Sequence, residues 1–409
     1  RPPSVHVVHG RKGLLPPAEV YVINYDLLAA REAQLCQLGL QCMVCDEAHW
    51  VNEPVPSTQH HRAAVVTRMA HRLQGRTVLL TGTPLENRPA DYWRLLHMLD
   101  PMAWPDFESY RKRYCRAPTE EEQALNPELR HDNLVTDYGR VERRTELLQR
   151  VAPLILRRTK AEVQQDLPPK YRRQILVELS EEDRKVYETV KADVVAWLRA
   201  QGDGLAASAA TRAMALVKLT HLRKIAAIGK LRHAVPSYLR GWFKGGTRGP
   251  LLIFCHHAEV LDRTTDIARR LGLRPVVIDG RVSGEERQQR LDDLAARRAD
   301  LLIATIRTAG VGLNIQCVSD QLFLERSWVP VQMVQAEDRS HRFGQKNPVC
   351  ITFLDAKDTV DEHIAAVLDD KQILIDGVMD AGKVDRKKAS GVARMTEGDL
   401  LERFLAGSR

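Results

Sequence analysis

Gln41-Cys42-Met43-Val44-Cys45-Asp46-Glu47-Ala48-His49 carries a short, mostly apolar run into two adjacent carboxylates. A run of this length closed by a polar cluster reads as a strand followed by a turn. A carboxylate at a strand end is held in a fixed place, as phosphoryl transfer requires of the group that holds Mg²⁺ and of the group that orients a water. Asp46 suits the metal role through its waters, Glu47 the water-orienting role, and His49 a link to a following loop. An exposed acidic turn carries the same four residues, so their context decides between the two readings.

That context is an alternation of short apolar runs and amphipathic stretches, the pattern of α/β units with parallel sheets. Around Asp46 the expected strands are Val5–Val8, Val20–Ile23, Gln41–Cys45 and Thr77–Leu80. Further on they are Pro250–Cys255, Pro275–Ile278, Asp300–Ala304, Gln321–Leu324 and Val349–Leu354. Apolar residues spaced three and four apart predict helices between them, among them Glu259–Leu271 and Glu285–Ala296. Pro101 to Arg150 lacks a strand signal and Glu181 to Arg240 is long, helical and basic; both read as helical insertions, one in each of two lobes. The segment 156–172 between them, with Pro168-Pro169, reads as the linker because two prolines do not continue a helix. The expected layout is a first lobe over 1–155 with its insertion near 101–150, the linker, a second lobe over 173–382 with its insertion near 181–240, and a polar tail over 383–409.

Three more stretches sit where chemistry is expected. Leu80-Thr81-Gly82-Thr83-Pro84 follows a strand, and its small hydroxyls, Thr81 and Thr83, suit sensing of a terminal phosphate; Thr83 capping a helix that starts at Pro84 is the plainer alternative. Thr305-Ile306-Arg307-Thr308-Ala309-Gly310-Val311-Gly312-Leu313-Asn314 follows another strand, and Gly310 and Gly312 let backbone N–H groups approach a phosphate. Gln335 to Gln345 carries Arg339 and Arg342, three apart and therefore on one face if the segment is helical. A guanidinium offered across a cleft neutralises charge on a transferring phosphoryl group, worth about 10³–10⁵ in rate.

Composition bounds the rest. The 409 residues carry 61 Lys+Arg against 53 Asp+Glu, a net charge of +8, which favours a polyanionic partner. Seven scattered cysteines fit a reducing compartment, and the lone Cys42-x-x-Cys45 sits in a strand where positions three apart face opposite sides. No apolar run approaches the ~20 residues of a membrane span.

Taken in order, the motifs DEAH, LTGTPLEN, LRRTK…LPPK, IDG…S..ER, AGVGLN and QAEDRSHRFGQ resemble the Swi2/Snf2 family of superfamily 2 helicase-like ATPases, from about Val20 to Met379. Phe254-Cys255-His256-His257 resembles the annealing-helicase branch, and Pro84-Leu85-Glu86-Asn87-Arg88 bacterial Snf2 proteins. The resemblance implies two RecA-like lobes, ATP and Mg²⁺ as cofactors, and movement along double-stranded DNA held mainly by its phosphate backbone, with a protein on that DNA as a further partner. It implies Asp46 and Glu47 for metal and water, Gln335, Arg339 and Arg342 for the second-lobe nucleotide roles, and Asn24, Thr83, Arg307, Thr308 and Asn314 near DNA or at the coupling interface. It places the protein inside the cell, in the nucleoid region of a bacterium or in a nucleus. Thr-Gly-Thr-Pro, where RNA helicases of the DEAH type carry Ser-Ala-Thr, disfavours RNA.

The family's G-x-x-x-x-G-K-[ST] loop is not found ahead of Asp46. The near match Gly377 to Val384 has Val in place of the hydroxyl residue and follows the last motif. The chain starts at Arg1-Pro2-Pro3 without a Met, so the expectation is a fragment of a longer motor, with ~100 residues of the first lobe elsewhere. Its first sheet would then leave apolar faces uncovered, and the chain alone would not hydrolyse ATP. The alternative is a non-hydrolytic DNA- or partner-binding remnant of a truncated gene.

Overall fold

A computed structural model describes residues 1–52, 61–73, 76–82, 90–115, 141–156, 158, 166–201, 209–245, 249–309, 314–366 and 368–369. The described residues divide into two compact units that meet in sequence at Leu156 and Arg157. The polar tail expected over 383–409, the near match Gly377 to Val384 and linker residues 157 and 159–165 lie outside the described residues.

The first unit holds β1 (Val5–Val7), β2 (Val20–Val22), β3 (Met43–Cys45) and β4 (Thr77–Leu79), paired in parallel as β1 with β2 and β3 with β4. Helix α1 (Tyr25–Gln37) joins β2 to β3, and α2 (Arg62–Arg72) precedes β4. The alternation of strand side chains sends Cys45 and Thr77 inward against Val65, Val66 and Met69 of α2 and neighbouring core residues. The opposite positions, Val5, Val7, Val20, Val22, Val44 and Val78, are between 40% and 59% exposed, so one face of each pair is uncovered among the described residues. Parallel sheets are ordinarily buried on both faces. α3 (Ala90–Leu99) lies just ahead of the region read as the first insertion, which holds α4 (Phe107–Tyr114) and α5 (Val141–Val151), packed through Trp104, Tyr110, Tyr114 and Leu147.

The second unit is built on six parallel strands in the order β5-β10-β9-β6-β8-β7: β5 (Lys170–Val177), β6 (Leu251–Cys255), β7 (Pro275–Ile278), β8 (Leu301–Thr305), β9 (Asp320–Phe323) and β10 (Val349–Ala356). β6 is buried along its whole length and β8 along all but Thr305, because separate apolar clusters cover the two faces of the sheet. Helices α6 (Glu181–Gln201), α7 (Ala209–Arg232) and α8 (Ala234–Phe243) fill the stretch read as the second insertion. α9 (Ala258–Arg270) and α10 (Gly284–Ala295) are the crossover helices. Ser283 and Glu286, both inside the quoted S..ER run, close a reciprocal capping box at the start of α10, which gives part of that motif a local structural reason.

One strand departs from the sequence reading. Lys170–Val177 was expected as the end of the linker and the start of a lobe, yet it forms the edge strand β5, registered along its full length with β10. Its first five residues are Lys, Tyr, Arg, Arg and Gln, and it is exposed on much of its length, as edge strands with charged side chains commonly are.

Candidate nucleotide and nucleic-acid site

In the first unit, β3 and β4 lie side by side with Cys45 opposite Leu79. Leu80 N–H donates to the Cys45 carbonyl (2.8 Å) and Ala48 N–H to the Leu80 carbonyl (2.9 Å), so the segments leaving the two strands are tied together. Asp46 is exposed and its Oδ1 accepts the Glu47 N–H at 3.0 Å. Glu47 adopts a left-handed conformation with φ 48°, rare for a residue with a side chain and usually a sign that the surroundings hold it there. His49 is buried; its Nδ1 lies 3.2 Å from Glu47 Oε2 and 3.4 Å from Thr81 Oγ1. Asp46, Glu47, His49 and Thr81 are therefore brought together, although Thr81 is 32 residues from His49 in sequence.

Sequence reasoning missed Tyr25 in this cluster. Its hydroxyl donates to the Asp46 carbonyl at 2.8 Å. Burial, then the thiol of Cys45 and the carboxylates of Asp46 and Glu47, hold the Tyr25 phenol well above its ordinary range, so it stays a neutral donor. Asn24, just before it, caps α1 by accepting the Asp26 N–H at 3.0 Å, and is exposed. Cys45 is buried, its thiol pushed up to about 11 by burial, while Cys42 is exposed; the C-x-x-C pair thus faces two environments, and all seven cysteines are free. Thr83 lies outside the described residues.

In the second unit the carboxyl ends of the strands carry the remaining candidates. The order changes side at β6, whose neighbours are β8 and β9, and such a switch point is where open α/β sheets commonly place ligands. Here a protein carboxylate fills it. Buried Glu325, two residues past β9, accepts N–H bonds from His256 (2.8 Å) and His257 (2.9 Å) at the start of α9, and its other oxygen meets His257 Nδ1. An anion at a helix N-terminus is favoured by the unpaired N–H groups there. Burial would raise the Glu325 carboxyl, but the His257 ring and the two N–H groups hold it below the usual carboxylate range. His256 is pushed down to about 3, first by burial and then by the Arg223 guanidinium.

Arg307 is exposed on α11 (Ile306–Ala309), and Thr308 Oγ1 accepts from Thr305 Oγ1 at 2.8 Å. α11 packs against α12 (Pro330–Glu337), which carries the half-buried Gln335. Gly310 and Gly312 lie outside the described residues; Asn314, beyond them, is exposed, and Ile315 N–H next to it donates to the Arg339 carbonyl at 3.2 Å.

The two arginines correct the helical reading. Pro330 opens α12, but the helix stops at Glu337 and Arg339 and Arg342 lie in successive turns. Arg339 is buried and Arg342 half-buried with its Nε donating to the Asp338 carbonyl at 3.2 Å. Side chains rather than helical hydrogen bonds shape these turns. Buried Gln345 donates to the carbonyls of Gln316, Val318 and Ser340, each at 3.1 Å, and accepts from the N–H groups of Lys346 and Asn347. Gly344 takes φ 94°, and a Cβ there would stand 3.2 Å from Gln316 Oε1.

The SNF2-related domain family matches residues 8–230, and the helicase conserved C-terminal domain family matches residues 231–344. The first match alone covers more than half of the chain. The chain belongs to the SNF2-related family. This SNF2-related chain is 26% identical over 91% of its length to a SWI/SNF-related matrix-associated actin-dependent regulator of chromatin subfamily A-like protein 1 of Xenopus tropicalis, covering 37% of that protein. It is 29% identical over 90% of its length to the DNA annealing helicase and endonuclease ZRANB3 of Mus musculus, covering 33% of it. It is 28% identical over 88% of its length to the Zorya protein ZorD of Escherichia coli, again covering 33%. It thus spans about a third of the length of the curated relatives it matches. Among solved structures, the Sulfolobus solfataricus SWI2/SNF2 ATPase core in complex with dsDNA is similar over 98% of this chain and 81% of that one, with 20% identity and a TM-score of 0.44. Among the described residues no helix is long and apolar enough to cross a membrane, and no three His, Cys, Asp or Glu side chains group as a metal site.

Proposed function

We propose that this SNF2-related chain belongs to a motor that moves on double-stranded DNA at the expense of ATP. One observation carries the reading: Asp46, Glu47, His49 and Thr81 converge at the ends of two paired strands, with His49 touching both Glu47 and Thr81. An isolated acidic turn has no reason to be tied to a threonine 32 residues away. A coupling element between hydrolysis and movement does.

The donor set fits Mg²⁺-ATP. Mg²⁺ keeps several of its waters and takes one or two carboxylates, so an exposed strand-end carboxylate such as Asp46 suffices without a three-ligand cluster. Bound Mg²⁺ would neutralise phosphate charge. Asp46 would hold it through water, Glu47 would orient the attacking water, and His49 would fix the Glu47 carboxylate while reporting to Thr81. Arg339 and Arg342 are assigned to phosphate charge, with Gln335 as a nucleotide contact. Gly310 and Gly312 are assigned as backbone contacts to phosphate. Asn24, Thr83, Arg307, Thr308 and Asn314 are assigned to DNA or to coupling; exposed Arg307 at a strand's carboxyl end suits a DNA phosphate.

A motor that steps along DNA has to ignore sequence, so its contacts fall on the phosphate backbone and its affinity falls steeply with salt. Fluorescence anisotropy with a duplex of random sequence across a NaCl series is the test. A linear fall of log affinity with log salt supports the reading, and a salt-insensitive interaction refutes it in favour of a protein partner. Residues 1–45 hold no G-x-x-x-x-G-K-[ST] run, which favours a second reading for these 409 residues taken alone, duplex binding without turnover. Hydrolysis measured with and without duplex separates the two. If turnover is seen, Glu47→Gln is expected to reduce it about a hundredfold or more while leaving duplex affinity in place.

A further inference from the structure

The strand that leaves the linker is fastened to the turns that bear the two arginines. Pro168 offers its carbonyl to His341 Nε2 at 2.8 Å, and Pro169 offers its carbonyl to Val349 N–H at 2.9 Å. Lys170 Nζ lies 3.1 Å from Glu337 Oε2 and 3.3 Å from Asp338 Oδ1. Arg172 donates through Nε and a terminal nitrogen to the Glu337 carboxylate at 2.6–3.1 Å. Glu337 is only 3% exposed. A carboxylate so buried depends on its cations, because removing a partner leaves an uncompensated charge. Gln321 Nε2 holds the Glu337 carbonyl at 2.7 Å, and Asp338 passes the restraint on, since its carbonyl accepts Arg342 Nε at 3.2 Å.

The β5–β10 ladder already keeps β5 in the sheet. These side chains reach past the ladder, to the last residue of α12 and to Asp338 just after it, where a segment without regular secondary structure begins that carries Arg339 and Arg342. We propose that Lys170 and Arg172, gripping Glu337 and Asp338, form a clamp through which the linker strand sets the position of Arg339 and Arg342. Lys170, Arg172 and Glu337 are positioning residues. A displacement of the chain ahead of Pro168 reaches the arginines through this clamp. The assignment of Arg339 and Arg342 to phosphate charge rests on the motor reading above; the clamp itself does not.

The test compares the chain with the Lys170→Met/Arg172→Met variant, which keeps aliphatic bulk and removes both charges, and with Lys170→Arg, which keeps the charge. Hydrogen exchange is followed at amides 338–345 and, as an internal reference, at β10. Trypsin cleavage after Arg339 and Arg342 is followed by mass spectrometry in the same proteins. Exchange at 338–345 and cleavage at the two arginines are expected to accelerate on the order of tenfold in the double variant, with β10 unchanged and Lys170→Arg like wild type. Unchanged exchange at 338–345 overturns the clamp. So does equal acceleration in β10, because Lys170 and Arg172 would then merely hold the sheet. These outcomes decide the clamp whether or not the chain binds duplex DNA, so failure of the motor reading is seen separately, in the salt titration.

Discussion

Acidification probes the imidazole of His256, which stands at the end of β6 at the switch point of the second sheet. Arg223 from α7, Glu325 beyond β9, Arg307 on α11 and the adjacent His257 are the charged or titratable groups around it. Burial first, and then Arg223, push its pKa from 6.5 down to about 3. The folded value lies below the unfolded one, so acid protonates the unfolded chain first. The contribution is whole above about pH 6.5 and is lost as pH falls towards about 3. With these two values the linkage relation gives a loss of about 1.4 kcal/mol between about pH 7.5 and about pH 5.5. For a unit of roughly 200 residues that is about 3–6 °C in the melting midpoint. His256→Gln keeps a polar, non-titrating side chain in the same place. Other groups, such as His363, also lowered by burial, titrate in both proteins, so the difference in slope isolates His256. Scanning calorimetry of both proteins across this range is the assay. Melting midpoints that fall in parallel, within about 1 °C, would refute the reasoning.

Two further substitutions test the second unit. Lys230, buried on α7, donates to the Leu324 and Leu354 carbonyls and to Asp361 Oδ2 at 2.6 Å, so Lys230→Met is expected to cost about 3–5 kcal/mol in urea unfolding by leaving Asp361 buried without its cation; an unshifted midpoint contradicts the pairing. Gly344→Ala places a Cβ against Gln316 at a left-handed φ and is expected to cost about 1–2 kcal/mol, whereas the same change at the open, negative-φ Gly241 should not; equal effects at the two sites would remove the strain argument.

Runs of apolar residues were legible because fully buried parallel strands have little freedom in composition. Asp300–Ala304 was expected and Leu301–Thr305 found, and Leu251–Cys255 lies within a residue of the expected ends; the half-buried edge strand Pro275–Ile278 was also found with the ends expected. β5 escaped for the opposite reason. Its Lys, Arg and Gln side chains find partners on other elements, Glu337 for Lys170 and Arg172, Thr352 for Arg173 and Asp355 for Gln174, and nothing local in the sequence announces those partners. Asp46, Glu47 and His49 were legible as a motif, but their contact with Thr81 depends on which strands pair, and Tyr25 carried no signal beyond its place after Asn24. The arginine spacing invited a helix. Pro330 marks the start of α12, but no Gly or Pro marks its stop, and the turns that follow are set by Gln345 at their far end and by Lys170 from β5.

The basic stretch from Glu181 to Arg240 shows how far charge alone can mislead. Read as sequence it is a long, basic helical insertion, one contributor to the net positive charge. In the fold, Arg223 and Lys230 of that stretch are among the most buried side chains, turned towards the carbonyls of Arg326, Leu324 and Leu354. Arg326 joins them, paired with Asp355 at 2.7 Å and stacked over Phe353 at 3.9 Å. These cations share the second unit's interior with buried Glu325, Asp355 and Asp361. With Arg339, Asp279 and Glu337, and with Arg31 and Arg94 of the first unit, six buried cations stand against five buried carboxylates among the described residues. The balance matters for the nucleic-acid reading, since a buried set of one sign would have to be subtracted before the net charge could be assigned to the surface. Because this set nearly cancels, nearly all of the +8 of the whole chain belongs to the residues outside it, and the expectation of a steep salt dependence on duplex DNA rests on that remainder.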